Sequence, residues 1–484
     1  MLFNSLNYLI FLPLVVILYF TLPAKIKKIF LLMASFFFYG FWNVKYLLLM
    51  ILSIGVTFYT GIYIDENSKI LSKKKLAVFI CFFINLGILF LFKYANFFID
   101  LVNSLTSLLS LRPIESKFSF LLPVGISFYT FQALGYTLDV YRNEIPAERN
   151  FINYALFVSF FPQLVAGPIE RSKNLLGQVK VIHKFKYENL LRGFILILWG
   201  FFLKLLIADR AAILVNEVFE NYHTFNSLIL LLTAIFFTFQ IYCDFYSYSI
   251  IAQGSAKILG IDLMDNFKEP FLSKSIAEFW HRWHISLSTW FRDYLYIPLG
   301  GNRTRLFRNL INILIVFLVS GLWHGANMTF VLWGLIHGIF NSLETFITKK
   351  NIKIPENFLT NFFRRILTFI IVVFAFIFFR AENIHDGLNF IGNIFAKSFD
   401  YEIFLRELSK TDFGFINLYP LLISLALLFF IDIFKYNGIN LILKVEKLIL
   451  PFRWIVLLLM IFTILIFGVY GPGFSESQFI YFQF

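Results

Sequence analysis

The chain has 484 residues, of which 59% are hydrophobic and 15% charged, against about 45–50% apolar and about 25% charged in an ordinary soluble domain. That much apolar surface excludes a soluble globular protein and makes lipid the solvent for most of the chain; its 67 Phe, 23 Tyr and 8 Trp suit a lipid-facing surface with aromatic interfaces. The formal charge of +13 comes from Lys and Arg lying mainly in short loops between apolar runs, so we read it as the positive-inside pattern and not as a nucleic-acid surface.

A crossing helix needs about 20 apolar residues. In chain order, candidate spans fall at 7–22, 29–41, 46–64, 76–92, 97–111, 120–140, 190–208, 227–250, 309–330, 363–379, 418–433 and 454–469. The expected fold is therefore all-α, a polytopic bundle of roughly a dozen spans. The first apolar run, Tyr8 to Phe20, has no Lys or Arg before it, and Lys25, Lys27 and Lys28 follow it. No cleavable signal is expected, and the N-terminus is expected outside, with the first loop cytoplasmic. Lys73, Lys74 and Lys75 after the third span agree with that orientation. The segments 154–168 and 328–340 read as re-entrant or half-crossing pieces, the first broken by Pro162, Gly167 and Pro168. Such breaks survive at membrane depth only inside protein or along a cavity. We find no internal repeat, so residues 1–484 read as one integral membrane domain. Cys81 and Cys243 lie in apolar segments and form no metal or disulfide pattern.

The stretch 262–309 is rich in charge and tryptophan in a chain that otherwise avoids charge. Ser275 and Glu278 fit a capping box that starts a helix, with Glu278 and Arg282 as an i,i+4 pair. Continued as one helix, it places Trp283, Leu287, Trp290 and Tyr294 on one face and His284, Ser288 and Arg292 on another, until Pro298, Gly300 and Gly301 end it. Two readings are open for it: an amphipathic helix lying in the headgroup layer, or a functional segment carrying His281 and His284. No HExxH or carboxylate set completes a metal site, so no metal is expected.

The next apolar run leads into GLWHGANMTFVLWGLIHG, residues 321–338. His324 sits there between Trp323 and Gly325, and an ionisable residue in such a segment is a functional-site hypothesis by default. A histidine bonded to a backbone carbonyl for structural reasons is the bland alternative. Imidazole suits general-base work because its ordinary pKa is about 6.5. Acyl transfer, with His324 taking a proton from an attacking hydroxyl, is the natural reaction; no GxSxG elbow provides a separate serine triad. His337 has the weaker claim.

FWHRWHISLSTWFRDYLYIPLGGNR (279–303) and GLWHGA (321–326) resemble the membrane-bound O-acyltransferase family, in its alginate and peptidoglycan O-acetylation branch. The opening LFNSLNYLIFLPLVVILYFTLP, PVGISFYTFQALGYTLDVYR from Pro123, FPQLVAGPIER from Phe161 and QIYCDFYSYS from Gln240 carry the same likeness over nearly the whole chain. The resemblance implies a buried histidine at His324, a second motif residue at His284, and no role for His281, where many members of the branch carry Arg. It implies acetyl-CoA as donor from the cytoplasm, with no bound cofactor, and Lys268, Arg303, Arg305 and Arg308 as phosphate contacts; ordinary positive-inside charge explains these four equally. It also implies a bacterial inner-membrane location, a periplasmic esterase-like partner and a polysaccharide acceptor, peptidoglycan or alginate-like. The tail FIYFQF, 479–484, resembles the end of the small partner protein of teichoic acid D-alanylation, which makes Tyr481 a candidate acyl carrier; a short interfacial aromatic anchor is the alternative. A permease or glycan-lipid flippase is the rival from another class.

Overall fold

In the computed structural model the described residues are 1–471, apart from positions 108, 111, 116, 117, 119–121, 165, 166, 353 and 354. They contain helices and no strands, and the all-α polytopic expectation is borne out. Among them, nine helices are long and apolar enough to cross a membrane; Leu6–Thr21 is apolar but has 16 residues. Two spans expected separately, 76–92 and 97–111, run as one 37-residue helix, Leu71–Ser107, which carries a π turn at Phe90–Tyr94. The segment expected to be half-crossing at 328–340 is corrected: it is a 22-residue helix, Met328–Lys349. Asn341 and Glu344 are polar enough to end an apolar run but do not end a helix.

The chain divides into two compact units, residues 1–189 with 255–264, and 190–254 with 265–484. In the first unit, Phe3, Tyr8, Phe38 and Phe161 pack as rings 4.8–6.1 Å apart where they meet. Its helix Phe151–Ser159 stops before Pro162, as the sequence requires. The freed carbonyl of Phe157 accepts from Gln132 Nε2 at 2.6 Å and from Gln163 Nε2 at 2.9 Å, and Phe161 N donates to Ser35 Oγ at 3.2 Å. The break is thus buried and satisfied by protein, the condition for irregular backbone at membrane depth.

The second unit is built on Tyr187–Glu220 from residue 190 onward, most of Ser227–Ile258, and the long helices Leu306–His324, Met328–Lys349, Phe358–Arg380, Gly414–Tyr436 and Leu450–Phe467. One ion cluster is sealed inside it: Lys204 Nζ lies 2.9 Å from Asp209 and 2.7 Å from Asp244, with all three side chains no more than 8% exposed. Leu306–His324 and Met328–Lys349 approach through Gly321 on the first and Gly334 and Gly338, four apart, on the second. A Cβ on Gly321 would fall 2.3 Å from the Phe330 carbonyl oxygen, and one on Gly334 would fall 2.3 Å from that of Phe317. Small residues at this spacing let two membrane helices touch backbone to backbone.

Candidate active site

The polar stretch does not run as one helix. Ser275 caps its start, accepting from Glu278 N at 3.0 Å, and the Glu278–Arg282 pair forms at 2.9 Å. The helix nevertheless ends at Arg282, and a second one begins at Ile285. The expectation of a continuous helix, with His284, Ser288 and Arg292 on one face, is therefore corrected: His284 lies at the break.

The two short helices form a wedge with His284 at its tip. At the base of the first, Ile276 N and Ala277 N donate to the Glu344 carboxylate at 2.7 and 2.8 Å. On the return, Asn309 Nδ2 donates to Tyr296 OH at 2.6 Å and Asn312 Nδ2 to the Leu299 carbonyl at 3.1 Å. Those contacts fall near the start of Leu306–His324, whereas His284 meets its last residue. Phe279, Trp280, Trp283, Leu287 and Trp290 are between 1% and 7% exposed. A helix lying in the headgroup layer would leave such rings at a lipid interface; here they pack into protein.

His284 has φ +44° and ψ +53°, a left-handed conformation that costs a non-glycine residue about 1–2 kcal/mol and that His tolerates better than most. It is 0% exposed and His324 is 2% exposed. Their ring centroids are 6.1 Å apart, close enough for one small reacting group to reach both. Phe245 stands edge-on to His284 at 4.6 Å, and Trp333 and Phe379 stand edge-on to His324 at 4.9 and 5.4 Å. Trp323 touches both imidazoles, at 5.7 and 5.0 Å. A neutral imidazole in this enclosure has one ring nitrogen to donate and one to accept.

A third imidazole, His337, is also fully buried. It stacks on Phe279 and lies edge-on to Trp280 at 5.2 Å, and its ring nitrogens have no hydrogen-bond partner among the described residues. Its weaker claim in the sequence came from its place at the end of the motif, which gave no hint of this burial. A cavity of about 360 Å³ is lined by Tyr296, Ile313, Ser288, Ile285, which follows His284 in the chain, and Ser320, one turn before His324.

The four candidate phosphate contacts are all exposed. The Lys268 backbone pairs with Arg282, two residues from His284, while its Nζ lies 3.8 Å from Asp265. Arg303, Arg305 and Arg308 lie at the start of Leu306–His324, the end away from His324; at 1.5 Å per residue, Arg308 is about 24 Å and Arg305 about 28 Å from it along the axis. The structure thus brings His284 and His324 together and leaves this arginine cluster a full helix length from them. Tyr481 lies outside the described residues.

Comparison with known proteins meets this geometry at the same place. The family signature for "MBOAT, membrane-bound O-acyltransferase family" matches residues 141–385, which include both histidines. The chain belongs to the membrane-bound O-acyltransferase family. It is 38% identical over 440 residues to a protein of Pseudomonas syringae pv. tomato named "Probable alginate O-acetylase AlgI", covering 89% of this chain and 81% of that one. It is 33% identical over 449 residues to the "Peptidoglycan O-acetyltransferase" of Helicobacter pylori, covering 86% and 83%. The "Teichoic acid D-alanyltransferase" of Bacillus subtilis is 29% identical over 295 residues, covering 57% and 72%. The chain is a multi-pass membrane acyltransferase, and the branch expected from its motifs is the one occupied by the first two relatives.

Proposed function

We propose that this membrane-bound acyltransferase moves acetyl groups from cytoplasmic acetyl-CoA toward O-acetylation of an extracytoplasmic polysaccharide. The observation that carries the reading is the buried pair, His284 and His324, with centroids 6.1 Å apart in an aromatic enclosure. In the proposed step a hydroxyl oxygen attacks the thioester carbonyl carbon. His324 takes the hydroxyl proton, the C–S bond breaks, and the proton passes to the departing thiolate. His284, as a neutral imidazole, donates its N–H toward the carbonyl oxygen as negative charge develops there. A cavity of about 360 Å³, lined by Ile285 next to His284 in the chain and by Ser320 one turn before His324, supports an approach for the thioester from the arginine-bearing end. The helix-length separation favours Arg303, Arg305 and Arg308 as contacts at the mouth of that approach, with Lys268 as a further contact.

The first acceptor in this reading is Tyr481, whose phenol needs a base to become a nucleophile. The acyl-tyrosine is presented outside a bacterial inner membrane, with the N-terminus outside, and an esterase-like periplasmic partner passes the acetyl to the glycan. The relatives' names favour an alginate-like polymer or peptidoglycan as that glycan.

The test is intact-mass analysis of purified protein after incubation with acetyl-CoA, beside Tyr481→Phe and His324→Ala. One added acetyl group in the wild type, absent from both variants, is the expected result. Steady CoA release with an added acceptor but no adduct would remove the tyrosine relay while keeping the enzyme. Full adduct formation by His324→Ala would overturn the proton-transfer role.

A further inference from the structure

His284 is held in its left-handed conformation by a segment eighteen residues earlier in the chain. Lys268 N donates to the Arg282 carbonyl and Ile285 N to the Asn266 carbonyl, both at 2.9 Å. These two bonds close on the wedge tip from either side of His284, so the backbone cannot relax into a continuous helix without breaking both.

The Asn266 side chain completes the grip. Its Oδ1 accepts from Ser286 Oγ at 2.6 Å and faces Ser286 N at 3.4 Å, while its Nδ2 donates to Ser249 Oγ at 3.0 Å. Ser286 N can only donate, which fixes the amide's orientation: oxygen toward the wedge, nitrogen toward the long helix Ser227–Ile258. Asn266 is 2% exposed, and Ser249 and Ser286 are 2% and 0% exposed, so no water competes for these bonds. The same long helix supplies Phe245, the ring edge-on to His284. Asn266 therefore ties the backbone following His284 to the helix that walls its imidazole.

We infer that Asn266 is the positioning residue for His284, locking the left-handed turn that points this imidazole toward His324. The inference rests on the proposed role of His284 in polarising the acyl donor. Asn266 touches neither substrate nor reacting atoms in this account and acts only through the imidazole.

The experiment compares wild type, Asn266→Ala, His284→Ala and the double variant in purified protein with acetyl-CoA and the acceptor used for wild-type turnover. Asn266→Ala is expected to lower kcat about 10–100-fold, the scale of a catalytic group misplaced by up to about 1 Å, with KM for the donor within about twofold. On the His284→Ala background the same substitution is expected to cost nothing further, because the ring it aims is gone. A merely structural asparagine would lower the active fraction in both backgrounds alike, and that equal loss overturns the inference. Wild-type kcat in Asn266→Ala overturns it as well. If Asn266→Ala fails to accumulate, Ser286→Ala removes only the hydroxyl bond: a several-fold fall in kcat alone supports the lock, and no fall overturns it. Full activity in His284→Ala defeats the proposed role of His284 itself, and the inference with it. An inactive His284→Ala beside a normal Asn266→Ala defeats the positioning role alone.

Discussion

Gly321→Ala tests whether the close approach of Leu306–His324 to Met328–Lys349 sets the position of His324. The new methyl would lie 2.3 Å from the Phe330 carbonyl oxygen, 3.0 Å from its carbonyl carbon and 3.3 Å from Val331 Cα. All three are backbone atoms, so no side chain can turn aside to make room. Restoring ordinary contact near 3.4 Å requires the helices to part by about 1 Å. Overpacking of this kind costs about 1–3 kcal/mol. His324 is on the next turn, and its ring is fixed against Trp333 of the helix being pushed away. A shift near 1 Å at a reacting group is worth up to about 10²-fold in rate, so kcat is expected to fall about 10–100-fold. The assay is acetyl transfer by purified protein, paired with thermal unfolding in the same detergent. Gly392→Ala, where nothing lies within 4 Å of the added methyl, serves as the matched control. Wild-type kcat in Gly321→Ala, with its helix pair intact, would refute the reasoning.

His324→Ala should lower acetyl transfer about 10²–10⁴-fold, the usual worth of a general base, without loss of membrane insertion; turnover measured on protein matched for insertion checks this. Lys204→Met leaves Asp209 and Asp244 buried without the cation between them, and should destabilise the protein by about 3–5 kcal/mol, seen as a lowered unfolding midpoint. Burial raises the Glu170 carboxyl from 4.5 to about 7, where it accepts from Met264 N and Asn174 Nδ2. Between those pH values the folded protein keeps a proton that the unfolded chain has released. The stability from Glu170 is thus complete below pH 4.5 and disappears as pH rises through 7. Glu170→Gln should flatten the fall in Tm between pH 5 and 7.5, and an unchanged slope would count against a protonated Glu170.

Hydropathy carried most of the fold, because lipid rewards long apolar runs whatever their partners. It said less where a helix continues through polar residues, as at Asn341 and Glu344, or through a π turn, as at Phe90–Tyr94, since neither interrupts the hydrogen-bonded backbone. The two histidines were legible as rare ionisable groups beside tryptophans. Their meeting was not, nor was the break at His284. Nothing in HRWHIS is a helix breaker; no glycine or proline stands there. The interruption is imposed from Asn266 and Lys268, whose local sequence, DNFKEP, reads as an ordinary polar loop. A tertiary contact overrode local propensity, and single-chain periodicity carries no record of such contacts.

The walls around the histidine pair are rings and helix backbone: Phe245, Trp323, Trp333 and Phe379, with glycines behind His324 leaving no slack between helices. In the proposed reaction, a site walled this way is reached by threading between packed helices. On that reading, selection between acyl groups falls to the width of the approach, and a bulkier thioester is expected to be turned away by size before either imidazole meets it.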